Sequence, residues 1–364
     1  MAARPQPPEE AGFSGSYAPR DVTFLLKPVA LRATEVAAKE RLIQSGRRHY
    51  SEMIAPETPP GPAYMALYEQ ALERNGARLA SDVGSLARVL AERAAGRREV
   101  VLVSLVRAGT PVGVLLRRAL ERVGVETSHY SISIIRDRGV DRRALAHIAE
   151  RHDPADAVFV DGWTGKGAIA GELRRSLADA PSGFRPWLAV VADPAGRADL
   201  SATEEDYLLP SGLLNAIVSG LVSRSILNPE LVGPGDFHAC VHYPEFKSYD
   251  VSRAFVDAVD ALAPRHPAPL PRARPGTAER CDRAVAWLMA RFAVTDPNRI
   301  KPGIAESTRA VLRRVPDRLL LRDPDDPDVR HLVHLAREKG VETNLLPPDF
   351  AFRAVSLIRN VQSG

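Results

Sequence analysis

Apolar positions recur at helical spacing through the first hundred residues and then change period. ALRATEVAAKERLIQ (30–44), YMALYEQALERNG (64–76) and ARLASDVGSLARVLAERAAG (77–96) carry them at i, i+3 and i+4, which predicts helices. From residue 98 short β-rich runs alternate with helical ones: REVVLVSLV (98–106), ETSHYSISII (126–135), DAVFVD (156–161) and PWLAVVADPAG (186–196), with PVGVLLRRALERVG and AIAGELRRSLAD between them. Strands separated by helices predict βαβ units and a parallel sheet covered on both faces, an α/β fold. Right-handed crossovers then bring the loops after the strands to one edge, where ligands bind in such folds.

The pattern breaks at APRHPAPLPRARPG (263–276), which has five prolines, no acid and no apolar periodicity. It reads as an extended linker. Three regions follow: a first domain over 13–262, a Pro-rich linker over 263–277 and a second domain over 278–364. Residues 1–12 read as a loose tail. In the second domain AERCDRAVAWLMARF, PGIAESTRAVLRR and DPDVRHLVHLAREKG are helical, while DRLLLRD and VETNLLP are strand-like. That predicts a small α/β/α sandwich.

Composition narrows the class. Of 364 residues, 45% are hydrophobic and 26% charged, which excludes wholesale disorder. No apolar run approaches the ~18 residues of a membrane span, and the start MAARPQPPEE lacks the apolar core of a secretory signal. The two cysteines, Cys240 and Cys281, exclude a disulfide framework and point to a reducing, cytoplasmic setting. The net charge of +4 is uneven: residues 264–364 hold 18 Lys/Arg against 12 Asp/Glu. Such a balance suits a polyanion partner, RNA or DNA. Of the 49 basic residues 43 are arginine, so no single arginine is informative by type alone.

VFVDGWTGKGAI (158–169) carries the most chemistry. A buried strand ends at Asp161, a turn with Gly162, Gly165 and Gly167 follows, and a helix begins. Glycines let backbone N–H groups converge, the helix head adds positive potential, and Lys166 adds a cation. The alternative is a tight turn that binds nothing. A Walker A loop is excluded by the glycine spacing and by Gly167 after Lys166; GxGxxG is excluded because Gly165, Gly167 and Gly171 are spaced GxGxxxG. A carboxylate at the strand end suits ribose hydroxyls or magnesium. Upstream, LVRAGTPVG (105–113) follows the first core strand and offers Arg107, Ala108, Gly109 and Thr110. IIRDRGVD (134–141) brings Arg136 and Arg138, and Asp193 with Pro194 end a further strand. Cys240 is flanked by His238 and His242 in DFHACVHYPE. On a strand those histidines point away from the thiol, which disfavours a thiol–imidazole pair; a His238/His242 metal site is disfavoured because i,i+4 spacing helps only on a helix and the segment carries Pro and β-formers.

The glycine loop resembles the PRPP-binding loop of type I phosphoribosyltransferases, in which two adjacent acids precede a Thr-Gly-rich phosphate turn. The resemblance implies Asp161 for ribose and Mg²⁺, and Thr164, Gly165, Lys166 and Gly167 for the 5′-phosphate. It also implies Arg107, Ala108, Gly109 and Thr110 for pyrophosphate, and Arg136 and Arg138 on a closing catalytic loop. Gly162 replaces the second acid and Ala168 a second hydroxyl. Within that superfamily, FSGSYAPRDVTFLLKP (13–28), GRRHYSEMI (46–54), PSGLLNAIVSGLVSRSILN (210–228) and HYSISIIRDRGVD look like bacterial proteins of tellurite-resistance and stress operons, some of which are named cysteine protease StiP. Residues 301–346 resemble the L7Ae-like, Pelota-type RNA-binding domain. There Gly303 and Glu306 fit the RNA-contacting turn and Arg309, with Arg313 and Arg314, the cations, while Ala305 replaces an asparagine. Together these imply a phosphoribosyltransferase-like enzyme, or a non-catalytic nucleotide or RNA sensor, joined to a module for structured RNA.

Overall fold

The structure is a computed structural model that describes residues 12–178 and 183–361; the expected tail, Gly12 apart, lies outside them. The change of period near residue 98 marks a six-stranded sheet. Its strands are β1 (Thr23–Phe24), β2 (Val100–Leu105), β3 (Thr127–Ile132), β4 (Ala157–Trp163), β5 (Leu188–Ala192) and β6 (Leu200–Thr203), and they lie in the order β1-β3-β2-β4-β5-β6. Every neighbouring pair is parallel. The four β-rich runs supply the middle of the sheet. The edges carry too little apolar pattern, TF and LSAT, to be read as strands in advance.

Alternate residues of the central strands face opposite sides. Val100, Leu102, Val158, Val160 and Ala189 pack under α2 (Pro62–Ala94), α3 (Gly109–Arg122) and α6 (Ser252–Ala261). Val101, Val103, Leu105, Phe159 and Val190 pack under α4 (Arg142–Ala149) and α5 (Ala168–Ala178). Burial of each such side chain stabilises the fold by roughly 1.5–3 kcal/mol. One sequence expectation is corrected here. The Asn75-Gly76 pair that divides two helical patterns does not end a helix, because α2 runs unbroken for 33 residues. Asn75 is buried and donates to the Leu208 carbonyl (2.8 Å) and to Asp328 Oδ1 (2.9 Å), so a tertiary contact replaces the turn it would otherwise favour.

Residues 263–276 form neither helix nor strand. Beyond them lie α7 (Thr277–Arg291), β7 (Ile300–Pro302), α8 (Ile304–Arg313), β8 (Pro316–Leu321), α9 (Arg330–Lys339), β9 (Glu342–Leu345) and β10 (Ala354–Ile358). The sheet order is β7-β10-β8-β9. Strands β7 and β10 were not signalled in advance, and the buried run AVSLI forms β10, which pairs with both β7 and β8. On one face of this sheet α7 closes a local core of Cys281, Leu288, Ile300, Leu320 and Leu357. On the other, Ile304, Val311, Leu319, Leu332 and Leu335 belong to the same apolar cluster as the first domain's α2 and α3.

The two domains are therefore packed together, with α8 and α9 between the sheets. Asp206, just after β6, accepts from the Ile304 N–H at the head of α8 (2.9 Å) and from the Arg353 N–H (2.8 Å). It is a helix cap supplied by the other domain. Burial raises its carboxyl to about 6. Glu40 on α1 (Val36–Gln44) holds Arg314 through two bonds of 2.5 and 2.7 Å. Replacing Asp206 with alanine is expected to cost roughly 0.5–2 kcal/mol in urea unfolding. It should also speed tryptic cleavage after Arg265 and Arg272. Unchanged unfolding and cleavage would mean that Asp206 does not hold the domains.

Candidate functional site

The chain passes from β2 to β3 on one side and later places β4 on the other. The loops after β2 and β4 thus flank a topological switch point, the crevice where open α/β sheets bind ligands. At the end of β4, Asp161 Oδ1 accepts from the Gly162 N–H (2.8 Å), while Oδ2 accepts no hydrogen bond among the described residues. Burial raises the Asp161 carboxyl to about 7, opposed by the Arg309 guanidinium and the Gly162 N–H. Past the strand, Gly165, Lys166 and Gly167 turn into α5. Their N–H groups donate to no acceptor among the described residues, so they stand unpaired at the head of an 11-residue helix.

Other parts of the turn are engaged. The buried Thr164 hydroxyl donates to Asp193 Oδ1. Asp193 also accepts from the Arg197 N–H (3.0 Å) and the Ala198 N–H (2.8 Å), so it organises its own loop. Pro194 lines a separate cleft with Glu204, Arg280 and Arg353. Lys166 Nζ donates to the carbonyls of Pro297 and Ile300 in the second domain, and burial lowers its ammonium to about 8. A Cβ on Gly165 would stand 2.7 Å from Glu306 Cγ, so only glycine lets α8 approach this closely.

The Pelota-like residues are turned inward. Glu306 Oε1 accepts from Trp163 Nε1 (3.2 Å), and the Arg309 guanidinium lies 4.4 Å from the centre of the Trp163 indole. Asp161, Trp163, Thr164, Gly165, Lys166 and Gly167 from one domain, and Lys301, Glu306 and Arg309 from the other, line a single pocket that Arg136 also borders. Gly303, at the cap of α8, faces Asp206. Arg314 is held by Glu40, and Arg313 lies deeper along the seam. Two groups of residues expected to serve separate ligands thus meet at one site. Sequence spacing holds no signal for that meeting, since Gly165 and Glu306 belong to different domains.

The loop after β2 is buried. The Val106–Arg107 peptide is cis. Arg107 donates to Glu57 Oε1 (2.7 Å), Asn215 Oδ1 (3.2 Å) and the Val222 carbonyl (3.2 Å), and its side chain is 3% exposed. Ala108 is buried, and Gly109 lies so close to β4 that a Cβ would stand 2.2 Å from the Val160 carbonyl oxygen. Thr110 hydrogen-bonds Ser131 (2.8 Å) inside the sheet. Residues 134–140 form a short antiparallel hairpin. Arg136 reaches Asn298 of the second domain (3.0 Å), and Arg138 pairs with Glu52 (2.6 Å).

Both cysteines are free and buried. Burial pushes the Cys240 thiol up to about 12, and chiefly burial pushes Cys281 up to about 11. His238 Nδ1 bonds Ser133 (2.8 Å), and no hydrogen bond joins either thiol to a histidine among the described residues. No group of three or more His, Cys, Asp or Glu is placed to hold a metal among the described residues. No helix there is long and apolar enough to cross a membrane.

Residues 15–260 match the family model described as tellurite-like stress resistance cysteine protease StiP, and residues 279–360 match the PELOTA RNA binding domain. The protein named cysteine protease StiP from Acinetobacter baylyi is 43% identical over 369 residues, covering 97% of this chain and 96% of that protein. Among solved structures, hypoxanthine phosphoribosyltransferase of Trypanosoma cruzi is 15% identical with a TM-score of 0.29, covering 36% of this chain and 80% of that one. Its complex with the product IMP is 17% identical with a TM-score of 0.28, covering 34% and 70%.

Because Asp161 binds its proton more tightly in the fold than its ordinary value of 3.8, stability is fullest below that value and falls as pH rises toward 7. Asp161→Asn should flatten this part of the stability–pH curve, read by urea midpoints from pH 4 to 8. An unaltered slope would place the carboxyl in water.

Proposed function

The chain belongs to the tellurite-like stress resistance family of StiP, and from that premise we propose that it is a PRPP-dependent, phosphoribosyltransferase-like enzyme whose RNA-binding second domain caps the site. One observation carries the reading: at the switch point, unpaired N–H groups of residues 165–167 and a free Asp161 oxygen share a pocket with Lys166, Lys301, Arg136 and Arg309. That constellation matches a sugar phosphate, with N–H donors for phosphate, a carboxylate for ribose hydroxyls and guanidinium groups for diphosphate.

In this reading the turn at Thr164–Gly167 anchors the 5′-phosphate and Asp161 orients the ribose. Arg309, braced over Trp163, and Arg136 face the diphosphate. An acceptor nitrogen attacks C1 of the ribose, the bond from C1 to the diphosphate oxygen breaks, and pyrophosphate leaves with the electron pair. The acceptor's proton passes to solvent. Catalysis then comes from positioning and charge complementarity rather than from a nucleophilic side chain. Magnesium fits the donor set, because such ions take one or two protein carboxylates plus substrate oxygens. Asp161 Oδ2 would hold it, and it would neutralise charge on the diphosphate.

Glu306 stands over the phosphate turn, so a ligand there displaces its carboxylate. RNA contact through Gly303, Glu306 and Arg309 likewise requires α8 to leave Asp206 and Trp163. A thiol mechanism is not part of this reading, given two buried thiols without imidazole partners. A sensor that binds without turnover is the second reading, favoured by Gly162 in place of a second acid.

Calorimetry with Mg²⁺ and PRPP on the full chain should show binding that Asp161→Asn with Lys166→Ala weakens at least tenfold and Glu306→Ala strengthens. Unchanged affinity in the double variant would overturn the site. Pyrophosphate release across a panel of nucleobases and small amines separates the enzyme from the sensor. Structured RNA should bind Asp206→Ala more tightly than the parent chain, with a steep salt dependence; equal affinity would show that α8 is not the contact.

A further inference from the structure

One helical turn beyond Arg309, about 6 Å along α8, a second cavity opens between the domains. Lys39 of α1, residues 54–58, Asn215, Arg224, Leu312 and Arg313 line it. The Arg313 guanidinium has no acceptor: its Nε and Nη2 are buried without a hydrogen-bond partner, and it joins no ion pair among the described residues. Lys39 is 5% exposed, and its ammonium also donates to no acceptor among the described residues. Arg313 Nε and Nη2 are thus withdrawn from water without an acceptor, and the Lys39 ammonium, which has no protein acceptor among the described residues, lines the same cavity from the other domain.

The surroundings increase the imbalance. Arg224 spends its donors on the carbonyls of Tyr50, Met53 and Ser225. Arg107 is paired with Glu57, and Arg314 with Glu40. Five cations (Lys39, Arg107, Arg224, Arg313 and Arg314) therefore face two carboxylates, an excess of three positive charges. A buried guanidinium without a partner is costly, and like charges raise that cost. Burial and the neighbouring Arg224, Arg314 and Arg313 lower the Lys39 ammonium to about 7. The Thr58 residue at the rim adds a hydroxyl to the lining.

We infer that this cavity is a binding site for a compact oxyanion of the phosphate class, held by the unpaired donors of Arg313 and the ammonium of Lys39. A phosphate offers several acceptor oxygens and up to two negative charges, which match unpaired N–H groups and most of the charge excess. The site is separate from the glycine turn: it shares α8 with that pocket but none of its lining residues. Because Lys39 comes from the first domain and Arg313 from the second, a bound oxyanion fastens the docked arrangement.

The test uses the full chain and inorganic phosphate at constant ionic strength. Calorimetry should give one saturable site that Lys39→Met and Arg313→Met each weaken at least tenfold, while Asp161→Asn with Lys166→Ala leaves it within twofold. Should the variants fail to fold, acetylation of the parent chain gives the same answer. Phosphate should slow labelling of Lys39 at least tenfold and leave the exposed Lys247 unaffected, as read by peptide mass mapping. Repeating the titration with PRPP present distinguishes the source of the anion. Competition assigns the cavity to a phosphate group of the larger ligand, and simultaneous binding assigns it to the free ion. Absence of saturable phosphate binding with unprotected Lys39 would overturn the inference. So would a loss of binding in the Asp161/Lys166 variant equal to that in Lys39→Met, which would place the anion at the glycine turn.

Discussion

The approach of α8 to the glycine turn is the contact on which the rest of the structure depends. It is made possible by the missing side chain at Gly165, which lets Glu306 pass within van der Waals distance of the turn. It is fixed by Asp206, which reaches across the domain boundary to satisfy the first N–H of α8. Helix heads leave N–H groups without partners. At α8 the other domain supplies the partner, and at α5 the N–H groups of the preceding turn remain unpaired. The head of α5 and the Glu306–Arg309 turn of α8 line one pocket, so docking of α8 helps to shape the ligand site.

Electrostatics along the seam follow from this packing. Turning α8 inward brings Arg309 and Arg313 away from water and against Arg107 and Arg224. Glu57 pairs with Arg107 and Glu40 with Arg314, so Arg313 is left without an ion pair among the described residues, and the cost of burying charge is met only where an acceptor is present. Asp161 shows the reverse case, a carboxyl in a low-dielectric pocket whose proton is retained to about 7. Both thiols are likewise held protonated chiefly by burial.

Much of the fold is legible in the amino-acid order because its signals are local. The change from helical to strand period near residue 98 marks the sheet, and five prolines mark the linker. The strand–Asp161–glycine–helix succession identifies the turn, since each requirement acts within a dozen residues. The short edge strands and the uninterrupted course of α2 through Asn75-Gly76 are not legible in this way. There the deciding partners, Leu208 and Asp328, lie far along the chain.

The sequence by itself therefore determined the central strands, most of the helices and the succession of strand, Asp161, glycines and helix at the turn. Tertiary structure alone decided which of those residues share a space. It withdrew Arg107 and Thr110 into buried pairs, turned Glu306 and Arg309 toward Asp161, and left Arg313 and Lys39 lining one cavity without an acceptor among the described residues. The physical reason is that periodicity and turn chemistry report how a segment contacts its neighbours in the chain. Docking is set by shape and desolvation between surfaces brought together from positions more than a hundred residues apart.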